Sequence, residues 1–212
     1  MIQIQSFTFN PFQENTFILY NEHKEAIIID PGMYDKTEQQ VFFDFIEKEQ
    51  IKPILLLNTH THLDHIFGNA AVLRKFQIPS TFHELDKPVF NAASSTCALY
   101  NLNFEKAPEP SYYTNINDTL LLGEDEFQLF LTPGHSPGSI CIYHAKQAFV
   151  IAGDVLFQMS IGRSDLPGGN HKSLIQSIHT SLMPLPDHTK VYCGHGPSTT
   201  IGIERMNNPF LH

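Results

Sequence analysis

The segment Ile54-Leu55-Leu56-Leu57-Asn58-Thr59-His60-Thr61-His62-Leu63-Asp64-His65 joins two kinds of sequence. Its first four residues are a continuous apolar run of the length of a buried strand. Its last six hold four side chains able to ligate a metal, His60, His62, Asp64 and His65. Where the segment is extended, alternation directs His60, His62 and Asp64 to one side, and His65 then opens a helical turn. Imidazole together with carboxylate suits zinc, iron or manganese. A capping role would account for Asp64 and leave three clustered histidines unexplained.

Upstream of this segment, residues 2–9 alternate apolar and polar, 16–20 and 26–29 are apolar, and the last run stops at Asp30-Pro31-Gly32. These read as three strands. Residues 36–48 carry Val41, Phe42, Phe45 and Ile46 as one stripe, which predicts an amphipathic helix. Downstream, 70–76 reads as helix and 80–82 as a short strand. Residues 91–117, with Ser94-Ser95, Pro108, Pro110 and four aromatics, read as a long irregular excursion.

The second half repeats this outline. Strands are expected at 119–122, 127–131, 139–143, 148–151 and 190–193, with helices near 173–182 and 201–206. Runs of strands followed by helices, twice over, predict an α/β (α+β) fold of two sheets packed face to face with helices outside. The 212 residues suit one domain over 1–212.

The charge balance is 13 Lys and Arg against 22 Asp and Glu, a formal net charge of −9. A chain that acidic has no electrostatic footprint for nucleic acid and no polybasic segment for a membrane surface. The first residues lack a basic start and a sustained apolar stretch, so no signal peptide is expected. Three scattered cysteines, Cys97, Cys141 and Cys193, do not make a disulfide framework, and the expected compartment is the cytoplasm. Twelve histidines nearly equal the lysines and arginines together, which directs attention to metal binding.

Three more candidate ligands each end an expected strand. His135 lies in Thr132-Pro133-Gly134-His135-Ser136-Pro137-Gly138, Asp154 follows Val150-Ile151-Ala152-Gly153, and His195 follows Val191-Tyr192-Cys193-Gly194. Each alone is a weak signal. With the His60–His65 cluster they total seven ligands, enough for two metal sites. The other histidines, among them His83 and His144, have no clustered partner and read as surface or hydrogen-bonded residues.

The order H-x-H-x-D-H, G-H, G-D and G-H-G resembles the metallo-β-lactamase-fold hydrolase superfamily. The strand ending at Asp30-Pro31-Gly32 matches its first motif. Gly153-Asp154-x-Leu156-Phe157, Gly162-Arg163-Ser164-Asp165-Leu166-Pro167-Gly168-Gly169 and His195-Gly196-Pro197-Ser198-Thr199-Thr200-Ile201-Gly202 running into Asn208-Pro209-Phe210 resemble the glyoxalase II branch, and in particular its short single-domain members. The resemblance implies a four-layer αββα sandwich of two mixed sheets. It assigns His60, His62 and His135 to one metal and Asp64, His65 and His195 to a second. Asp154 would bridge them, and Asp64 and Asp154 would be the catalytic carboxylates. The cofactors implied are two divalent ions, zinc before iron or manganese. Such a pair would make a bridging hydroxide available to attack a thioester carbonyl of an acylated thiol, a small-molecule substrate like a hydroxyacylglutathione.

Two further residues carry paired readings. Asp30 either accepts the free ring N–H of a ligating histidine or forms the turn before Pro31. Arg163 either orients a carboxylate or substrate group or pairs with Asp165. Cys193, two residues before His195, reads as core. The chain ends sixteen residues after Gly196. No C-terminal helical glutathione-binding domain is therefore expected, and substrate selection would fall to Arg163, Lys172 and residues 91–117 acting as a lid. The competing reading is a persulfide dioxygenase of the same fold with one non-haem iron. A nuclease is opposed by the charge, a non-catalytic metal module by the complete ligand set, and antibiotic hydrolysis by the glyoxalase-like segments. Whether the chain dimerises is not legible in these patterns.

Overall fold

Alternation at the N-terminus becomes strand β1 (Gln3–Phe9), which pairs antiparallel with β2 (Glu14–Tyr20). The computed structural model describes residues 1–212. Strand β3 (Glu25–Ile29) continues the antiparallel meander. Helix α1 (Lys36–Lys48) then carries the chain back, so that β4 (Lys52–Leu57) joins β3 in parallel. Helices α2 (Leu63–Ile66) and α3 (Asn69–Phe76) precede β5 (Ser80–His83), and α4 (Lys87–Leu99) precedes β6 (Tyr112–Thr114). Both β5 and β6 add in parallel, giving a mixed sheet ordered β1-β2-β3-β4-β5-β6.

The α1 stripe packs in part: Val41, expected on the buried face, is exposed, and Phe45 is only partly covered. Phe42 and Ile46 are buried with Phe9, Ile18, Ile28, Leu56 and Val72. The Phe42 ring stands edge-on to Phe7 at 5.5 Å and to Phe9 at 6.2 Å. Asp35 caps this helix, its carboxylate accepting from Thr37 N at 2.8 Å and Glu38 N at 2.9 Å.

The expected irregular excursion over 91–117 is wrong in its first part. Residues up to Leu99 belong to α4, where Phe90, Ala93 and Cys97 recur on one buried face. Ser94-Ser95-Thr96 read as a breaker, but Ser95 and Thr96 donate their hydroxyls to the Ala92 carbonyl one turn back and stay in the helix. Within that stretch, irregular chain is confined to residues 100–111 and 115–117, on either side of β6.

The second sheet is ordered β14-β13-β10-β9-β8-β7. Its strands are β7 (Leu120–Leu122), β8 (Asp125–Leu131), β9 (Ile140–His144), β10 (Phe149–Gly153), β13 (Lys190–Cys193) and β14 (Thr199–Thr200). Strand β10 runs parallel to β13 and antiparallel to β9. A small hairpin of β11 (Leu156–Phe157) and β12 (Ser160–Ile161) follows β10. Helix α5 (His171–Ser177) runs into a π-helical turn at Ile178–Leu182, and α6 (Ile201–Asn207) follows β14. Leu174, Ile178 and Leu182 pack with Val150, Ala152, Val191 and Ile201. His144 is not a surface residue: it is buried between the rings of Phe127 and Phe149, 4.9 and 5.1 Å away.

The chain forms two compact units, Met1–Thr114 with Leu122–Asp125, and Asn115–Leu121 with Glu126–His212. No helix is long and apolar enough to cross a membrane.

Candidate metal centre

In the first unit, strands β3, β4 and β5 are parallel neighbours, so their C-terminal ends lie side by side. Ligand sites in sheets of this kind form at that edge. The middle strand ends in Asn58-Thr59-His60-Thr61-His62, and each flanking strand supplies a buried aspartate to hold it. Asp30, just past β3, accepts from Thr59 N at 2.7 Å and from Thr59 Oγ1 at 2.5 Å. Asp86, past β5, accepts from Thr61 N at 2.5 Å and Thr61 Oγ1 at 2.8 Å. The threonines are thus clamped on either side of His60, and the ring of His60 is fixed with them.

The His60 ring lies 4.8 Å from that of His62 and 4.1 Å from that of His65. Asp64 and His65 are carried by α2, whose cap position is taken by His62, so Asp64 stands in the first turn and not at the cap. Asn10 donates its side-chain amide to the Asp64 carbonyl and to the Gly32 carbonyl, both at 3.0 Å, tying that turn to the β1–β2 connection. Asp64 Oδ2 is 3.7 Å from His65 Nε2.

Asp30, His60 and His65 offer ligand atoms within 4.8 Å of one another. Asp30, however, already accepts the two bonds from Thr59, and its Oδ2 takes a third from His65 Nδ1 at 3.0 Å. A proton on His65 Nδ1 donated to this oxygen would leave Nε2 without one, the form in which imidazole ligates. Glu14 lies beneath, fully buried, with Oε1 3.9 Å from His65 Nδ1. Burial pushes its carboxyl well above the usual range, against the opposing pull of His65.

In the second unit, β10 and β13 are parallel and end together, Gly194 N donating to the Gly153 carbonyl at 2.8 Å. Asp154 and His195, the residues that follow, are thereby side by side, with His195 Nε2 3.4 Å from Asp154 Oδ2. His135 comes from the turn between β8 and β9. There Gly134 has φ +139, and a Cβ on it would sit 2.2 Å from Leu174 N. His135 Nε2 is 3.5 Å from the same Asp154 Oδ2, and His135 Nδ1 donates to the Arg163 carbonyl at 2.7 Å. Gly162 makes this possible: a Cβ there would be 1.8 Å from the Asp154 carbonyl oxygen.

The arrangement fits a cation. Nitrogen and oxygen ligands about 2.0–2.1 Å from a tetrahedral ion lie roughly 3.3–3.4 Å apart, longer than a good hydrogen bond. The two separations at Asp154 are of that size. Nδ1 of His65 and of His135 is occupied by a fixed oxygen, which presents Nε2 in each case.

The guanidinium of Arg163 takes the second of its two readings, the pairing with Asp165. It is exposed and forks onto Asp165, Nε to Oδ1 at 2.7 Å and Nη2 to Oδ2 at 2.8 Å, and it holds that carboxyl down to about 2. What touches His135 is the Arg163 backbone carbonyl. Cys193 is core, and burial pushes its thiol up to about 12. Sequence reading missed Glu14, Asp86 and Asn10. The one local signal for these supports was the alternation of Thr59 and Thr61 with the histidines.

The metallo-beta-lactamase superfamily model matches residues 9–195. The chain is 37% identical over 203 residues to the Bacillus subtilis protein named "Probable metallo-hydrolase YqgX", covering 95% of this chain and 94% of that one. It is 34% identical over 203 residues to "Hydroxyacylglutathione hydrolase GloC" of Haemophilus influenzae, with the same shares covered. The structure of BLEG-1 B3 metallo-beta-lactamase superposes with a TM-score of 0.90 at 40% identity, covering 99% of each chain. That of TTHA1623 in a di-iron-bound form gives 0.88 at 35% identity, covering 98% of this chain and 100% of that one. Two mixed sheets with flanking helices, the ordered motifs and these likenesses agree, and the chain belongs to the metallo-β-lactamase superfamily of metallo-hydrolases.

Proposed function

We propose that this chain is a two-metal hydrolase that cleaves the thioester of a small acylated thiol, with hydroxyacylglutathione-like compounds as the first candidates. In this reading His60, His62 and His135 serve one cation, Asp64, His65 and His195 serve the other, and Asp154 is shared. The observation that carries it is Asp154 Oδ2, flanked at 3.5 Å by His135 Nε2 and at 3.4 Å by His195 Nε2. Asp154 would then be within reach of a cation held by His135 and of one held by His195. The likeness to the Haemophilus influenzae hydrolase supports the substrate class.

When bound, two divalent cations, zinc before iron or manganese, supply a water of lowered pKa and a Lewis acid for the carbonyl. The chain's own part is orientation. Asp30 and the Arg163 carbonyl fix His65 and His135, and the Asp30 and Asp86 clamps on Thr59 and Thr61 fix His60 and His62. Burial keeps the Cys193 thiol protonated near neutral pH, so it does not act as nucleophile. A thiolate leaves without strong help from a protein acid, which suits a site whose polar side chains are occupied in holding ligands. The expected compartment is the cytoplasm.

The test is turnover of a thioester panel by wild type, His62→Ala and Asp154→Ala, with bound metal counted in each. The reading expects hydrolysis by wild type, and loss of both turnover and metal in the variants. Full activity in either variant contradicts it. So does oxygen uptake with a persulfide by a protein holding a single iron.

A further inference from the structure

Glu204 is fully buried on α6, and its carboxyl gathers three donors, one from β14, one from the β11–β12 turn and one from the C-cap of α6 itself. Oε1 accepts from Thr199 Oγ1 at 2.6 Å, and Oε2 accepts from Met159 N at 2.9 Å and from Asn208 Nδ2 at 2.8 Å. Asn208 donates a second bond to the Ser160 carbonyl at 3.0 Å. The neighbouring Arg205 turns away, to Asp187 and to the Met183 and Leu185 carbonyls. Burying a carboxyl is costly unless its oxygens are satisfied, so a side chain placed here specifies the elements that satisfy it.

Those elements are the ones that carry the second unit's ligands. Met159 and Ser160 belong to the β11–β12 hairpin, which begins two residues after Asp154 and ends two residues before Arg163. The Phe157 ring of that hairpin stands edge-on to the His195 ring at 6.2 Å. Arg163 holds His135 through its carbonyl, and Gly162 lies against the Asp154 backbone. Thr199 follows His195 by four residues on the chain leaving β13. One carboxyl therefore joins the segment after His195 to the segment between Asp154 and Arg163.

We infer that Glu204, with Asn208 beside it, is a positioning residue for metal binding: it sets the hairpin against which Asp154, His135 and His195 are aligned. This rests on the two-metal reading above. It also gives a physical task to the C-terminal stretch Thr199–Asn208, which the proposed chemistry leaves unused.

The test is zinc affinity of the intact protein by competition with a chromophoric chelator, alongside melting of the metal-free protein. Glu204→Ala is expected to weaken zinc binding about tenfold or more, the scale seen when supports of ligands are removed. Glu204→Gln is expected to restore it, because its amide group can donate to Thr199 Oγ1 while its oxygen keeps the bonds from Met159 and Asn208. A purely structural role would lower the metal-free melting temperature and leave zinc affinity alone, and that result overturns the inference. Should Glu204→Ala not fold, Thr199→Val and Asn208→Ala each remove one donor, and unchanged zinc affinity in both also overturns it. Failure of the wild type to bind zinc, iron or manganese at all is a different result: it removes the two-metal reading itself.

Discussion

Asp30 sits at φ +49, a left-handed conformation in which an aspartate is one of the few side chains tolerated. From there it accepts the backbone and hydroxyl of Thr59 and the ring N–H of His65. Asn tolerates the same backbone, so Asp30→Asn is a clean substitution. Its amide nitrogen must face either Thr59 N–H or His65 Nδ1. Facing His65, it makes Nδ1 the acceptor and leaves the proton on Nε2, the atom that should ligate. Asp30→Asn should therefore fold and bind zinc about 10- to 100-fold more weakly, as chelator competition will read. The cysteines give a second residue-scale prediction. Burial pushes Cys141 and Cys193 up to about 12 and raises Cys97 as well. A thiol with a pKa near 12 is thiolate at only about one part in ten thousand at pH 8. The folded protein should show no fast-reacting thiol at pH 8, and guanidinium should release all three. Rapid labelling of the native state would contradict that burial.

At the scale of elements, the proposed ligands were legible in the sequence and most of their supports were not, for a physical reason. His60 to His65 follow one strand, and their spacing is local. Asp30 was visible as a strand-end residue, but Asp86 and Glu14 reach the site only because β3, β4 and β5 are adjacent and parallel and β2 lies beside β3. No local pattern encodes that order. The bounds of helix α1 were legible from its apolar residues, although Val41 faces out, whereas α4 was hidden by serines that back-bond within the helix. Arg163 was singled out for its charge, yet what touches His135 is its backbone, which any residue would present. Two predictions belong here. Asp35→Ala removes the α1 cap and should cost about 1 kcal/mol in a denaturant titration, with metal content unchanged. Gly162→Ala forces a Cβ onto the Asp154 carbonyl and should cut bound metal, which elemental analysis of the purified variant will show. Wild-type metal content in Gly162→Ala would mean the segment yields without moving Asp154.

For the whole molecule, family and fold are firm, while the chemistry rests on the proposed seven-residue ligand set. The match to BLEG-1 over 99% of each chain establishes the architecture. A shared fold hosts unrelated reactions, so the function has to be argued from the ligands and what holds them. The acidic balance of −9 gives no electrostatic footprint for nucleic acid and fits a small-molecule substrate. Elemental mass spectrometry on protein purified without added metal tests the central claim most directly. Two metals per chain, as zinc or with iron or manganese, is the result expected of His60, His62, Asp64, His65, His135, Asp154 and His195 acting as one dinuclear set. One iron per chain and little else would contradict it.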